Sequence, residues 1–116
     1  MCYFRGQRAK ILTVSKRKPL EGWKVVEMWG GEWHSPYYTA AQGYKGTVGK
    51  IGAWCHASPH GYYVMRTRAQ AHAAVPLFHG RRGRRARRVL FAGKVRQYNG
   101  IGSGHAGYRA EWMKVL

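Results

Sequence analysis

Six arginines fall within the eight residues from Arg81 to Arg88, in the stretch HGRRGRRARRVLFAGKVRQY. Like charges this close repel one another, so such a run is tolerated chiefly where an anion will meet it. Guanidinium groups bind phosphate through paired hydrogen bonds and stack on bases, and the interleaved Gly83 and Ala86 leave the run uncluttered enough to follow a backbone. Arg81, Arg82, Arg84, Arg85, Arg87 and Arg88 are therefore candidate phosphate contacts, and Lys94 and Arg96 extend the set onto the segment that follows. The plainer alternative is a solvated loop with no specific ligand.

The charge balance says which anion to look for. Lysine and arginine number 21 against four acids, Glu21, Glu27, Glu32 and Glu111, with no aspartate, for a net charge of +17. That balance is typical of proteins that work against nucleic acid or a nucleoprotein complex. An arginine-rich loop can order on RNA or enter a DNA groove, and both stay open. No long apolar stretch or basic amphipathic helix speaks for a membrane, and no cofactor or small-molecule substrate is expected. Docking on an acidic protein surface is a further alternative.

Aromatic residues could add stacking platforms for unpaired bases. Trp29, Trp33, Tyr37, Tyr38, Tyr44, Trp54, Tyr62 and Tyr63 are interleaved with Lys45, Lys50, Arg66 and Arg68. Core packing competes for each of them. Trp33, Tyr37 and Tyr38 lie in a Gly/Pro-rich stretch and are expected to be exposed, which adds Trp33 and Tyr37 to the candidate site.

Other chemistries find less support. Cys55, His56 and His60, with His34 and His105 elsewhere, offer zinc-type donors without zinc spacing, and neighbours such as Cys55 and His56 point to different sides of an extended chain. As a nucleophile pair they lack an aspartate to orient the imidazole. An ADP-ribosyltransferase-like enzyme using NAD is the principal enzymatic alternative: Tyr3-Phe4-Arg5-Gly6, Gly61-Tyr62-Tyr63 and a late Glu111 are reminiscent of that class. Against it, Ser35 does not open a strand, and Arg109 stands two residues before Glu111 where the arginine-modifying members carry a second acid. The competing role for Glu111 is an ion pair with a neighbouring Arg or Lys.

What must position these residues is one small basic domain over 1–116, with a flexible arginine-rich loop at about 79–88. Strands are expected over Ala9–Ser15, Gly22–Trp29, about Tyr44–Lys50, Gly61–Arg66, Arg88–Tyr98 and Tyr108–Leu116, with ordered loop over much of residues 30–52. The turn Lys16-Arg17-Lys18-Pro19 suggests a hairpin between the first two strands. Gly22–Trp29 puts Trp23, Val25 and Trp29 on one face and Lys24, Val26 and Met28 on the other, so it reads as central, while Val89, Phe91 and Val95 form the buried face of a later strand whose other face carries Arg88, Lys94 and Arg96 with Leu90 and Tyr98. Thr67 can cap one helix, Arg68–Val75, which Pro76 stops. The fold class is α+β: a mainly antiparallel sheet with one short helix. Cys2 and Cys55 are too few for a disulfide scaffold and no signal peptide precedes them, which points to a reducing cytoplasm.

The order WKVV, SPYY, YKGTVGK, WCHASPHGYYVMRTRAQAHAAV, a strand and then GYRAEWMKVL resembles, across about residues 22 to 116, a loose group of small phage and actinobacterial proteins of unknown function. Members of that group carry an acidic or neutral segment where this chain has Arg81–Arg88. The resemblance implies phage or prophage origin, and with it a host-takeover or anti-defence setting such as inhibition of a nucleic-acid-guided nuclease. It transfers no catalytic residue.

Overall fold

A computed structural model describes residues 9–34, 48–56, 61–74, 84–99 and 106–116. They form β1 (Ala9–Val14), β2 (Leu20–Trp29), β3 (Glu32–His34), β4 (Val48–Gly49), β5 (Trp54–His56), β6 (Tyr62–Met65), α1 (Arg68–Ala74), β7 (Arg84–Asn99) and β8 (Ala106–Val115). The expected architecture, mostly antiparallel sheet with one short helix, is what the described residues show, weighted further toward sheet than the expected α+β class.

A long hairpin, β7 with β8, is the spine. β1 does not turn back on β2 as the proline-marked turn suggests. Both pair antiparallel with β7, β1 from Ala9↔Tyr98 to Val14↔Gly93 and β2 from Leu20↔Phe91 to Glu27↔Arg84. Since β8 occupies the opposite edge of β7, β1 and β2 run end to end along one edge, and residues 15–19 bulge out opposite Ala92. β5 and β6 likewise share one edge of β8.

The sheet then closes on itself through a single pair between β2 and β6, Trp23↔Met65. Tracing the register from Arg88 through Trp23, Met65 and Gly107 returns to β7 at Tyr98, ten residues further on. So large a stagger means strongly tilted strands around a narrow interior that side chains fill. Gly22 permits the close approach at this seam: a Cβ there would stand 2.5 Å from Val64 Cγ1 and 2.9 Å from the Met65 carbonyl oxygen.

Inside the ring, Val26, Tyr62, Val64, Val89, Phe91, Val95, Ala110, Met113 and Val115 pack as one buried cluster, with Trp33 completing it from β3. Val89, Phe91 and Val95 are buried as their alternation predicts. β2 is buried on both faces: Val26 faces the interior, and Val25 lies in a second cluster with Tyr63, Met65, Tyr98 and the helix residues Ala71 and Ala74. Trp23, expected in the core, is only half-buried beside that second cluster.

The helix starts where Thr67 predicts. Thr67 Oγ1 accepts from the Gln70 amide at 3.2 Å, while Gln70 Oε1 accepts from the Thr67 amide at 3.1 Å, a reciprocal capping box. Val75 and Pro76 lie outside the described residues.

A β-bulge bends the spine at Gly93 and Lys94, which together oppose Glu111. Gly93 has φ 82°, and a Cβ there would lie 2.5 Å from Glu111 Oε1 and 2.8 Å from Trp112 Cδ1. Gly93→Ala is therefore expected to cost about 1 to 3 kcal/mol in a thermal or denaturant melt, strain and collision acting together. An unchanged midpoint would mean that the bulge relaxes freely.

Candidate nucleic-acid interface

The arginine run is not a loop over its second half. Arg84 to Arg88 begin β7 and are paired residue by residue with β2, from Arg84↔Glu27 to Arg88↔Trp23. Pairing fixes which face each guanidinium takes. Arg84 and Arg88 share the outer face with Ala86 and Leu90, whereas Arg85 and Arg87 stand on the face that continues into Val89 and Phe91, beyond the end of β8. The flexible loop expected at about 79–88 thus gives way to strand from Arg84, because an uninterrupted partner strand supplies hydrogen bonds to the backbone whatever its side chains carry.

The six arginines do not have one role. Arg85 and Arg88 are exposed, and Arg88 lies 5.9 Å from the Trp23 ring centroid. Arg84 is paired opposite Glu27. Arg87 is structural: Nε and Nη2 both donate to the Leu116 main-chain oxygen, at 2.9 and 2.5 Å, and hold the end of β8 against β7. Lys94 and Arg96 are exposed further along β7, Lys94 at the bulge and Arg96 opposite Ile11 and Arg109. Arg81, Arg82 and Tyr37 lie outside the described residues.

Trp33 leaves the candidate site. Its side chain is fully buried, edge-on to Tyr62 at 5.9 Å. The expectation of exposure comes from the Gly/Pro-rich surroundings, but Glu32–His34 turns back on β2 as a strand, and Trp33, opposite Met28, closes the core.

Aromatic groups that do reach the surface come from other positions. Cross-strand pairs on the outer face run from Trp23↔Arg88, through Glu21↔Leu90↔Lys114↔Trp54, to Ala92↔Trp112↔His56. Trp23, Trp54 and Trp112 are each half-buried, and each is attended by cations. Lys16, from the bulged turn, places Nζ 3.3 Å from the Trp112 ring centroid and 5.9 Å from that of Trp54. Lys114 Nζ is 4.8 Å from the Trp54 centroid, and the Arg68 guanidinium is 5.7 Å from that of Trp23. Of the three, Trp54 is among the platforms expected from sequence, whereas Trp23 is expected in the core and Trp112 is not singled out. The signal that could have found them is alternation: in Trp54-Cys55-His56 and Trp112-Met113-Lys114 the middle residue packs inward, which turns both tryptophans out.

Glu111 is engaged with protein groups. Its Oε1 accepts from the Lys94 amide at 3.1 Å and its Oε2 lies 3.1 Å from His56 Nε2. The Lys94 amide first, and His56 second, hold its carboxyl below the usual carboxylate range. The expected partner is an Arg or Lys side chain; a histidine and a backbone amide take that place. Tyr62 and Tyr63, the second element of the transferase comparison, are buried, while Tyr3–Gly6 and Ser35 lie outside the described residues. Cys55 packs against the core as His56 faces outward, and burial pushes its thiol above the ordinary value, the reverse of nucleophile activation.

Among the described residues no group of three or more potential metal ligands stands close enough to hold an ion, and no helix is long and apolar enough to cross a membrane. Comparison with protein-family models, curated proteins and solved structures found no match, so the chemistry of this surface rests on its geometry.

Proposed function

We propose that this protein binds nucleic acid, alone or within a nucleoprotein complex, through the phosphate backbone and without catalysis. The observation that carries the reading is the fixed register of the basic strand. Arg88 is exposed on the outer face of the paired β7, Lys94 and Arg96 continue the exposed charge along the strand, and Arg85 is exposed on its other face beyond the end of β8. Charges held in place by a sheet lose little freedom on meeting a phosphate chain, which favours them over the same number on a flexible loop. With a net charge of +17 the whole molecule attracts polyanions. Two cysteines, too few for a disulfide scaffold, suit a reducing, cytoplasmic setting, and phage origin would give such binding a host-takeover or anti-defence use.

The test is binding to a labelled oligonucleotide over a salt series. About five neutralised phosphates imply a slope of log K against log salt near −3 to −5. Changing Arg85, Arg88, Lys94 and Arg96 together to glutamine is expected to weaken binding strongly and to flatten the slope by up to about one unit for each phosphate no longer neutralised, with the thermal midpoint little changed. Arg87 is excluded from the set because it holds Leu116. Unaltered affinity and slope in the quadruple variant would reject the reading. An acidic polypeptide that binds as tightly, with the same salt dependence, would redirect it to a protein surface.

A further inference from the structure

We propose that the outer face formed by β2, β7, β8 and β5 is a site for single-stranded nucleic acid, with unpaired bases on Trp54 and Trp112, extending toward Trp23, and phosphates on Lys16, Lys114 and Arg88. The inference rests on the nucleic-acid reading above and adds strandedness and the base-contacting residues.

Three features of this face lead there. First, three half-buried tryptophans, on β2, β8 and β5, lie on one face of four successive strands, from β2 to β5 a width of three strand spacings, roughly 14 Å. Second, each is accompanied by a cation: Lys16 at Trp112, Lys114 and Lys16 at Trp54, Arg88 and Arg68 at Trp23. Aromatic rings for bases, with positive charge beside each for the backbone, is the composition that binds single strands with little regard to sequence. Third, most acids on this face stand opposite donors. Glu111 has its two oxygens directed to Lys94 and His56, and Glu27 stands across from Arg84, which leaves Glu21, near Trp23, as the carboxylate working against an anion.

Geometry favours the unpaired form. Tryptophans half-sunk in a convex barrel wall cannot reach bases stacked inside a duplex, which would touch only the lysines and arginines. A single strand can lay a base against such a wall. Lys16 now sits over Trp112, and a phosphate is the natural group to draw its ammonium aside and free the ring. His56, at 4.6 Å between ring centroids, supports Trp112 from the neighbouring strand.

The experiment compares a labelled single strand of pyrimidines with a hairpin duplex carrying the same number of phosphates, for the wild type and for Trp54→Ala/Trp112→Ala. In the wild type the single strand is expected to bind more tightly and to quench tryptophan fluorescence, while the duplex leaves the emission nearly unchanged. The double variant is expected to lose about tenfold or more in affinity for the single strand and less than about twofold for the duplex. Should that variant fold poorly, Trp54→Phe/Trp112→Phe keeps the rings and is expected to retain most of the preference. Equal losses on both ligands, or a wild type that binds the duplex as tightly with equal quenching, would overturn the assignment while leaving phosphate binding in place. Failure of the wild type to bind either ligand would remove both.

Discussion

Trp33→Ala is expected to cost about 3 to 5 kcal/mol, the range for removing a large aromatic side chain from a core, which is a large share of the roughly 5 to 15 kcal/mol that ordinarily holds a small domain together. The indole is fully buried in the cluster with Tyr62, Val64 and Phe91. It also sets the position of the short strand β4: a Cβ on Gly49 would fall 2.5 Å from the Trp33 ring and 2.6 Å from Cys55 Sγ, so the glycine backbone lies directly against the indole. Alanine would leave a cavity reaching from the barrel interior toward β4 and β5. One effect acts the other way, because the buried Trp33 Nε1 has no hydrogen-bond partner among the described residues. An unpaired buried N–H costs about 1 to 3 kcal/mol, and truncation removes that cost along with the ring. Trp33→Phe separates the two contributions, since it keeps most of the packing and discards the N–H. It is expected to lie within about 1.5 kcal/mol of wild type. Denaturant midpoints at constant slope measure both variants. If Trp33→Ala proved as stable as wild type, the indole would not be the core residue described here.

The contrast between Trp33 and Trp112 shows what the sequence could disclose. Period-two alternation in Val89, Phe91 and Val95 is sufficient to find a buried face, and the adjacent Val25 and Val26 mark a strand buried on both, because a strand has only two sides. The start of α1 is equally legible, since the capping bonds between Thr67 and Gln70 are made within four residues. Long-range pairing is not. A proline-marked turn suggests a hairpin, yet β1 and β2 each find a partner in β7, more than fifty residues away in the chain. The arginine run misleads for a related reason: its composition suggests a solvated loop, but β2 supplies backbone partners to Arg84 through Arg88. The aromatic half of the candidate surface is least legible. It joins tryptophans from β2, β5 and β8 that meet only once the sheet has assembled around β7.

Closure also explains Lys24, whose replacement is the other change expected to have a large effect. Lys24 shares a face with Val26 and Met28, as the alternation of a central strand implies, and that face is the inner one: the lysine is 1% exposed, its Nζ donating to the Tyr63 carbonyl oxygen at 2.7 Å. Arg87 occupies the position directly across the strand pair. Burial pulls the Lys24 ammonium down from its ordinary value of 10.5 to about 7. A lowered lysine pKa means that folding disfavours the charged form. Below pH 7 both folded and unfolded chains hold the proton and the full penalty applies. Between about 7 and 10.5 the unfolded chain binds the proton more strongly than the folded one, so this group's contribution makes the protein more stable as pH rises, and above 10.5 the penalty is gone. Methionine has nearly the same length and shape and no charge to desolvate. Lys24→Met is therefore expected to stabilise the protein by about 2 to 4 kcal/mol at pH 6, the usual scale for exchanging a buried charge for a matched apolar side chain less the lost bond to Tyr63. Comparing variant with wild type at each pH removes the titration of the other lysines. The gap between them is expected to narrow by up to about 3 kcal/mol on going from pH 6 to about pH 9.5, at roughly 1.36 kcal/mol for each pH unit above the folded pKa. A gap that stays constant or widens over that range would show that the Lys24 ammonium reaches solvent and that the ring of β2, β6, β8 and β7 is not sealed around it.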